Sequence, residues 1–374
     1  MLNMKLSKFN FSSKSSFTSN ILHFFAYMRF TCFLIYINLF YITAYSQEGG
    51  SGVYSFLDIP ASSRVAAMGG TFITVKDNDP NAALQAPSLL NSSMNNSLTL
   101  SGVSFVDGVK FGDVGYVRDF GKIGTYMASM HYASYGELLE TDEFGNINGT
   151  FHASDYSLTF SGGYQFNPKF SFGAAFKTIY SDYYIYNSFG AAIDLSATYD
   201  DTLNHITTTF VFRNAGIQFK NYVKDNNEPI PAEAMIGISK RLIHTPLRFN
   251  LTYRHLEKFD LSYVDPNNLG DVDPLTGEPQ IKTINFWNKL SRHFILGTEI
   301  LLSKNFHLRV AYNFQRRREM IIETRPGLVG FSMGVGLKVS KFIISYGRGN
   351  FHIAGGANHF SITTNLSEFG RKAK

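Results

Sequence analysis

Hydrophobic and polar residues alternate through two arms of the chain that meet at Asn167-Pro168-Lys169. The first arm puts Tyr156, Leu158, Phe160, Tyr164 and Phe166 on one parity and Asp155, Ser157, Thr159, Ser161 and Gln165 on the other. The return arm sets Phe170, Phe172, Ala174, Phe176, Thr178 and Tyr180 against Ser171, Gly173, Ala175, Lys177 and Ile179. A period of two predicts a β-hairpin with one aromatic face and one small or polar face. In a soluble sheet the aromatic face meets a protein core. In a transmembrane barrel it meets lipid and the polar face lines the lumen.

The repeats decide between these readings. The pattern recurs at 96–105, 111–119, 122–133, 153–166, 169–180, 186–200, 205–216, 232–241, 247–256, 292–302, 305–315, 329–339, 342–349 and 358–366, about fourteen strands. An even count suits a single-chain barrel. Tight connections at Phe120-Gly121, Asn167-Pro168, Asp201 to Asn204, Leu242 to Pro246, Ser303-Lys304 and Ser340-Lys341 alternate with others that include Ser134 to His152, Ile217 to Pro231, Glu257 to Ser291 and Arg316 to Leu328. Short turns on one rim and long loops on the other predict a periplasmic and an extracellular side, with both termini periplasmic. Arg248, Asn250, Thr252 and Arg254, and likewise His307, Arg309, Asn313 and Gln315, share the inward parity, because arginine facing lipid is costly. A β-sandwich rarely needs so many strands of this length. The expected fold is therefore all-β: an antiparallel transmembrane barrel of about fourteen strands over 96–367, followed by a short tail at 368–374.

Residues 1–46 read as a secretory leader outside the fold. Phe30 to Ala44 is an apolar run, and Ala44-Tyr45-Ser46 supplies the small residues of a cleavage site before Gln47. Arg29 follows Met28, which makes Met28 the expected true start. Losing Lys5, Lys8, Lys14 and Arg29 lowers the formal charge from +5 to +1, so the basic balance gives no support to a nucleic-acid partner. Cys32, the single cysteine, lies in this leader, which excludes a disulfide framework from the expected mature chain. A mean hydropathy of −0.08 agrees with alternating strands, whose average stays near zero.

Residues 47–95 precede the strand array and read differently. Ala61 to Gly70 predicts a short helix begun by Pro60 and ended by glycine, Thr71 to Val75 a short strand, and Asn81 to Leu90 a small helical piece. Too small to fold alone, this segment is expected to plug the barrel lumen.

Here the sequence resembles a known family. Gly49 to Arg64, with Ala66-Ala67-Met68-Gly69-Gly70 and Asp77-Asn78-Asp79-Pro80-Asn81-Ala82-Ala83, is similar to the N-terminal signature of the PorV/PorQ group of FadL-type outer-membrane barrels. Tyr54, Phe56, Leu57, Pro60, Arg64, Gly69 and Gly70 carry the resemblance. Ala86-Pro87-Ser88 departs from the superfamily's usual Asn-Pro-Ala turn, and the chain runs past Phe369 where such barrels commonly end on an aromatic residue. The resemblance implies a non-enzymatic component of the type IX secretion system in the outer membrane of a Gram-negative bacterium. Its implied role is to anchor a surface attachment complex of a PorZ-type protein with PorU and PorV. The alternative within the same superfamily is a FadL-type transporter of hydrophobic compounds.

Motifs for chemistry are weak. Gly330-Phe331-Ser332-Met333-Gly334 has nucleophile-elbow spacing, but it sits in an alternating strand with no helix after it, so Ser332 reads as a lumen residue. Ser-x-x-Lys is absent and the ten His lack metal spacing, so no cofactor, metal or catalytic centre is expected. Glu137, Glu140, Asp142 and Glu143 in one loop, and Asp265, Asp271, Asp273 and Glu278 in another, read as solvated charge. Two groups are docking candidates. Tyr263, Phe286 and Trp287 put large apolar side chains in the longest loop, where they either bind a partner or fold back on the rim. Arg316-Arg317-Arg318 reads as a solvated rim or as a patch for lipopolysaccharide phosphate or a partner carboxylate.

Overall fold

The structure, a computed structural model, describes residues 52–60, 62–105, 108–224, 226, 228–262, 284–320, 327–352 and 355–370. The expected leader, Tyr263 and most of the Glu257 to Ser291 connection lie outside these residues.

Fourteen antiparallel strands close into a barrel. They are β1 (Ser97–Ser104), β2 (Lys110–Asp119), β3 (Thr125–Thr141), β4 (Ile147–Gln165), β5 (Phe170–Tyr183), β6 (Tyr186–Asp201), β7 (Ile206–Lys220), β8 (Glu233–Arg241), β9 (Leu247–Tyr253), β10 (Phe294–Ile300), β11 (Phe306–Asn313), β12 (Phe331–Val339), β13 (Phe342–His352) and β14 (Gly355–Asn365). Each pairs with its neighbour in sequence, and β1 pairs with β14 from Ser97↔Asn365 to Ser104↔Asn358, so no edge is left open. Among the described residues four short α-helices accompany them: α1 (Ser63–Ala67), α2 (Phe286–Ser291), α3 (Phe314–Met320) and α4 (Ser367–Gly370).

Burial along the strands is inverted relative to a soluble sheet. On β5, Phe172 and Phe176 are each 49% exposed while Ser171 is 2% and Lys177 8% exposed. Ser332 and Arg309, at 2% and 3% exposure, likewise turn inward while Val310 and Met333 turn out. Aromatic and aliphatic side chains coat the outside of a closed ladder whose inner parity is polar, the pattern of a barrel wall that faces lipid. No helix among the described residues is long and apolar enough to cross a membrane.

Several elements depart from the periodicity. Ser134 to His152 is no loop: β3 and β4 continue to a turn at 142–146, and the register shifts between Ser134 and Glu137. Gly136, at φ 80°, makes the bulge that breaks the alternation and hides the strand from a period-two reading. Asp142 closes the turn by accepting from the backbone N–H groups of Phe144 and Asn146. β7 runs on to Lys220. Arg316 to Arg318 lie on α3 rather than at a strand end. Thr71 to Val75 forms no strand, and 81–90 contains turns with one 3₁₀ turn at Pro87–Leu89. At the C-terminus Phe369 packs on Phe342, with ring centroids 5.8 Å apart, under Lys341.

Residues 52–60 and 62–95 pack against the inner wall. Val65, Met68, Phe72, Ile73, Leu89, Leu90 and Met94 form a buried cluster with the inward Val117, Met127, Val211 and Met235. Tyr54 and Phe56 join a second cluster with Val103, Phe111, Ile179 and Ala192. The wall makes room through glycine. A Cβ on Gly347 would stand 2.2 Å from the Ser63 carbonyl oxygen, and one on Gly173 would stand 2.2 Å from the Ser88 nitrogen.

Candidate functional site: the plugged lumen and the long-connection rim

Packing alone does not fix the N-terminal segment, because ionic and hydrogen bonds tie it to the wall. Glu299 on β10 is fully buried and accepts from Arg64 of α1 at 3.1 Å, Arg309 of β11 at 2.9 Å and Arg248 of β9 at 2.8 Å. Arg64 also reaches Asp77 at 2.8 Å and Asp79 at 3.0 Å within its own segment, and its guanidinium stands 4.8 Å from the centre of the Phe72 ring. Three guanidinium groups and three carboxylates thus balance around the buried Glu299, with Asp77 at the partly exposed edge. Charges so placed are tolerable only when paired and hydrogen-bonded.

A second cluster lies on β7 to β9. Glu233 accepts from Arg213 and Arg254, each at 2.6 Å, and Arg213 donates to Asp58 of the N-terminal segment at 2.8 Å. His131 on β3 places one ring nitrogen 2.6 Å from Asp113 and the other 3.2 Å from the Phe56 carbonyl. Further ties run from the Ser63 N–H to Ser361, from the Ser88 N–H to Ser196, and from the Ser171 and Ser239 hydroxyls to the Ser88 and Thr74 carbonyls. The segment is held from many sides of the barrel at once.

All seven signature residues of the segment sit in this setting. Tyr54, Phe56 and Arg64 are at most 3% exposed, and the Tyr54 hydroxyl is 2.5 Å from Ser188. Leu57 packs against the second cluster. Pro60, Gly69 and Gly70 are buried. Gly69 and Gly70 take φ of 87° and 94°, where a side chain is strained, and a Cβ on Gly70 would press on Arg316 at 3.0 Å.

Between the segment and the wall lies a cavity of about 70 Å³. Leu57, Ile59, Pro60, Val65 and Leu84 give one side of it. Asp113, Ser129, His131, Ser157, Thr159 and Lys177 give the other.

At the long-connection rim, Phe286 and Trp287 open α2 and are 57% and 70% exposed. Phe286 packs edge-on against Trp287 and at a tilt against Phe259, both with centroids 5.5 Å apart. Lys289 of α2 donates to Asp260, and this bond, helped by Ser262, pulls the Asp260 carboxyl down to about 2. The arginine triplet separates: Arg316 turns in over Gly70, Arg317 donates to the Gly327 carbonyl, and Arg318 is exposed. Tyr263 lies outside the described residues. The β3–β4 hairpin adds Leu139, Phe144 and Ile147 to this rim, at 59%, 89% and 64% exposure.

Sequence reasoning placed Arg64, Arg248, Arg254 and Arg309 but missed their acids. Glu299 and Glu233 sit on the inward parity of β10 and β8, and that parity was the available signal. Asp58 ends a 3₁₀ turn at Ser55–Asp58 and Asp77 lies in a bend, where no alternation points inward. No group of His, Cys, Asp and Glu able to hold a metal occurs among the described residues.

No family model matches this chain, and no curated protein sequence does. Among solved structures it is similar to the toluene transporter TbuX of Ralstonia pickettii, at 12% identity over 82% of this chain and 97% of that one, with a TM-score of 0.48. It is similar to the toluene transporter TodX of Pseudomonas putida at 12% identity over 83% and 99% of the two chains, with a TM-score of 0.47. A Pseudomonas aeruginosa FadL homologue matches at 11% identity over 82% and 98%, with a TM-score of 0.45. The barrel assignment rests on the strand ladder of this chain alone.

Proposed function

We propose that this chain is a non-enzymatic outer-membrane barrel of a Gram-negative bacterium. Its lumen is held shut by its own N-terminal segment, and its long-connection rim seats a surface protein. The observation that carries this reading is the Glu299 site, where a buried wall carboxylate holds Arg64 of the segment at 3.1 Å. An open pore has no use for so many ties across its bore, whereas a rigid, sealed cylinder suits an anchor. On the resemblance of the Gly49 to Ala83 signature, the seated protein is PorZ-like and belongs, with PorU and PorV, to the attachment complex of the type IX secretion system.

A partner must meet the long-connection rim, because the tight turns of the other rim offer little of the roughly 800 Å² per side that a stable interface needs. Deleting Asp260 to Asn285, or cutting the β3–β4 hairpin back to Ser134 and Ser154, should leave an inserted barrel that releases its surface partner into the medium. Inserted variants that both retain the partner would refute the rim as the seat. The second reading is transport of hydrophobic compounds, the activity named for the toluene transporters, and the apolar side chains Leu57, Ile59, Pro60, Val65 and Leu84 along the cavity favour it. A strain lacking the chain that secretes normally but takes up toluene poorly would decide for transport.

A further inference from the structure

The cavity between the N-terminal segment and β2–β7 has a polar wall that neither reading uses. Every charged group on its wall is already matched. His131 lies against Asp113 at 2.6 Å, Lys177 against Asp194 at 2.7 Å, and Arg213 against Glu233 at 2.6 Å. The segment's amides are also engaged: Gln85 bonds the Phe72 N–H and the Gly70 carbonyl, and Asn81 bonds Asp79 and Thr99. Two buried hydroxyls are not. The Oγ atoms of Ser62 and Ser157, on residues 2% and 1% exposed, line the cavity without a hydrogen-bond partner among the described residues. Ser129 and Thr159 place two more hydroxyls on the same wall. A buried hydroxyl left unsatisfied is costly, so such groups mark a place where something else completes the bonding.

We propose that this cavity is a binding site for a small neutral polyol of three carbons. Its hydroxyls would bond Ser62 and Ser157, and its C–H face would lie on Leu57, Ile59, Val65 and Leu84. Charge chemistry selects neutrality, since an ionic ligand would have to break one of the three matched pairs. Size selects the class. A cavity of about 70 Å³ is several times the roughly 10–15 Å³ that a single water needs, which leaves room for a molecule larger than water but still small. Hydroxyls that both donate and accept suit a ligand whose groups do the same. The wall behind the cavity carries the β4 ladder, which holds Ser157 in place opposite Ile179 and His131.

Radiolabelled glycerol in equilibrium dialysis with the detergent-folded barrel tests the proposal, with n-butanol as an unlabelled competitor. Saturable binding of one glycerol per barrel is expected, with n-butanol a poor competitor. Ser157→Ala and Ser62→Ala should each weaken binding about tenfold, the worth of one hydrogen bond, and Ser157→Leu should abolish it by filling the space. Ser332→Ala, which removes a lumen hydroxyl on β12, should leave it unchanged. If Ser157→Leu fails to insert, judged by gel mobility before and after heating, the two alanine variants carry the test. Absence of saturable binding up to roughly 0.1 M glycerol, n-butanol competing as well as glycerol itself, or alanine variants that bind like the wild type would each overturn the proposal.

Discussion

Replacing Glu299 by glutamine should unseat the N-terminal segment while leaving the barrel wall intact. The substitution keeps side-chain volume and removes one negative charge from the centre of three guanidinium groups, at 2.8 Å to Arg248, 2.9 Å to Arg309 and 3.1 Å to Arg64. Asp77 and Asp79 still match Arg64, but both belong to the segment and cannot tie it to the wall. Removing one partner of a buried ion pair typically costs about 3–5 kcal/mol, because the remaining charge stays out of water without compensation. Glu299 is fully buried, so no solvent discount applies. If that cost falls on the seated state, the ratio of seated to unseated segment drops by roughly two to four powers of ten. The measurement is maleimide labelling of Ser63→Cys, a fully buried position, in a background without Cys32, with heat-dependent gel mobility reporting the wall. Labelling should be slow with Glu299 present and at least a hundredfold faster without it. A second variant, Arg64→Met, should act in the same direction, and combining the two should cost less than their sum because they share one interaction. Unchanged labelling in an inserted Glu299→Gln barrel would refute the idea that this site holds the segment.

Phe172→Arg should impair membrane insertion at a cost of about 2–4 kcal/mol near the bilayer midplane, whereas Ser171→Ala should insert normally and lose only the bonds of its hydroxyl to the Ser88 carbonyl at 2.8 Å and from Lys76 at 3.1 Å; urea unfolding from lipid vesicles distinguishes them. Gly347→Val should displace α1, since even a Cβ there would stand 2.2 Å from the Ser63 carbonyl oxygen, and faster labelling at Ser63→Cys with unchanged gel mobility checks this. The Asp260 carboxyl is held down to about 2 from 3.8. A lowered folded value stabilises above the unfolded one and is lost as pH falls through the folded one. Protease cleavage near α2 should therefore be constant at neutral and mildly acidic pH and rise only as pH drops from about 4 toward about 2. Intact-mass analysis of the membrane-isolated protein should give Gln47 as its first residue, and retention of Phe30 to Ala44 would remove the leader reading.

The barrel was legible in the sequence because a side-chain period of two is a local property that survives wherever one wall meets lipid and the other the lumen. It placed all fourteen strands and put Ser171, Arg309 and Ser332 on the inner face without a structure. It failed where the period is broken by one residue. The Gly136 bulge hid the outer halves of β3 and β4, and the helical turn of α3 replaced the end of a strand. Tertiary structure alone decided which charges meet. Arg64 and Glu299 are 235 residues apart in sequence, and Arg213 and Asp58 are 155 apart. Nothing in the pattern of a strand says which inward residue across the lumen will face it. Only closure of the ladder from β1 to β14, with the segment folded inside, brings those partners within hydrogen-bonding distance and leaves the Ser62 and Ser157 hydroxyls facing a cavity.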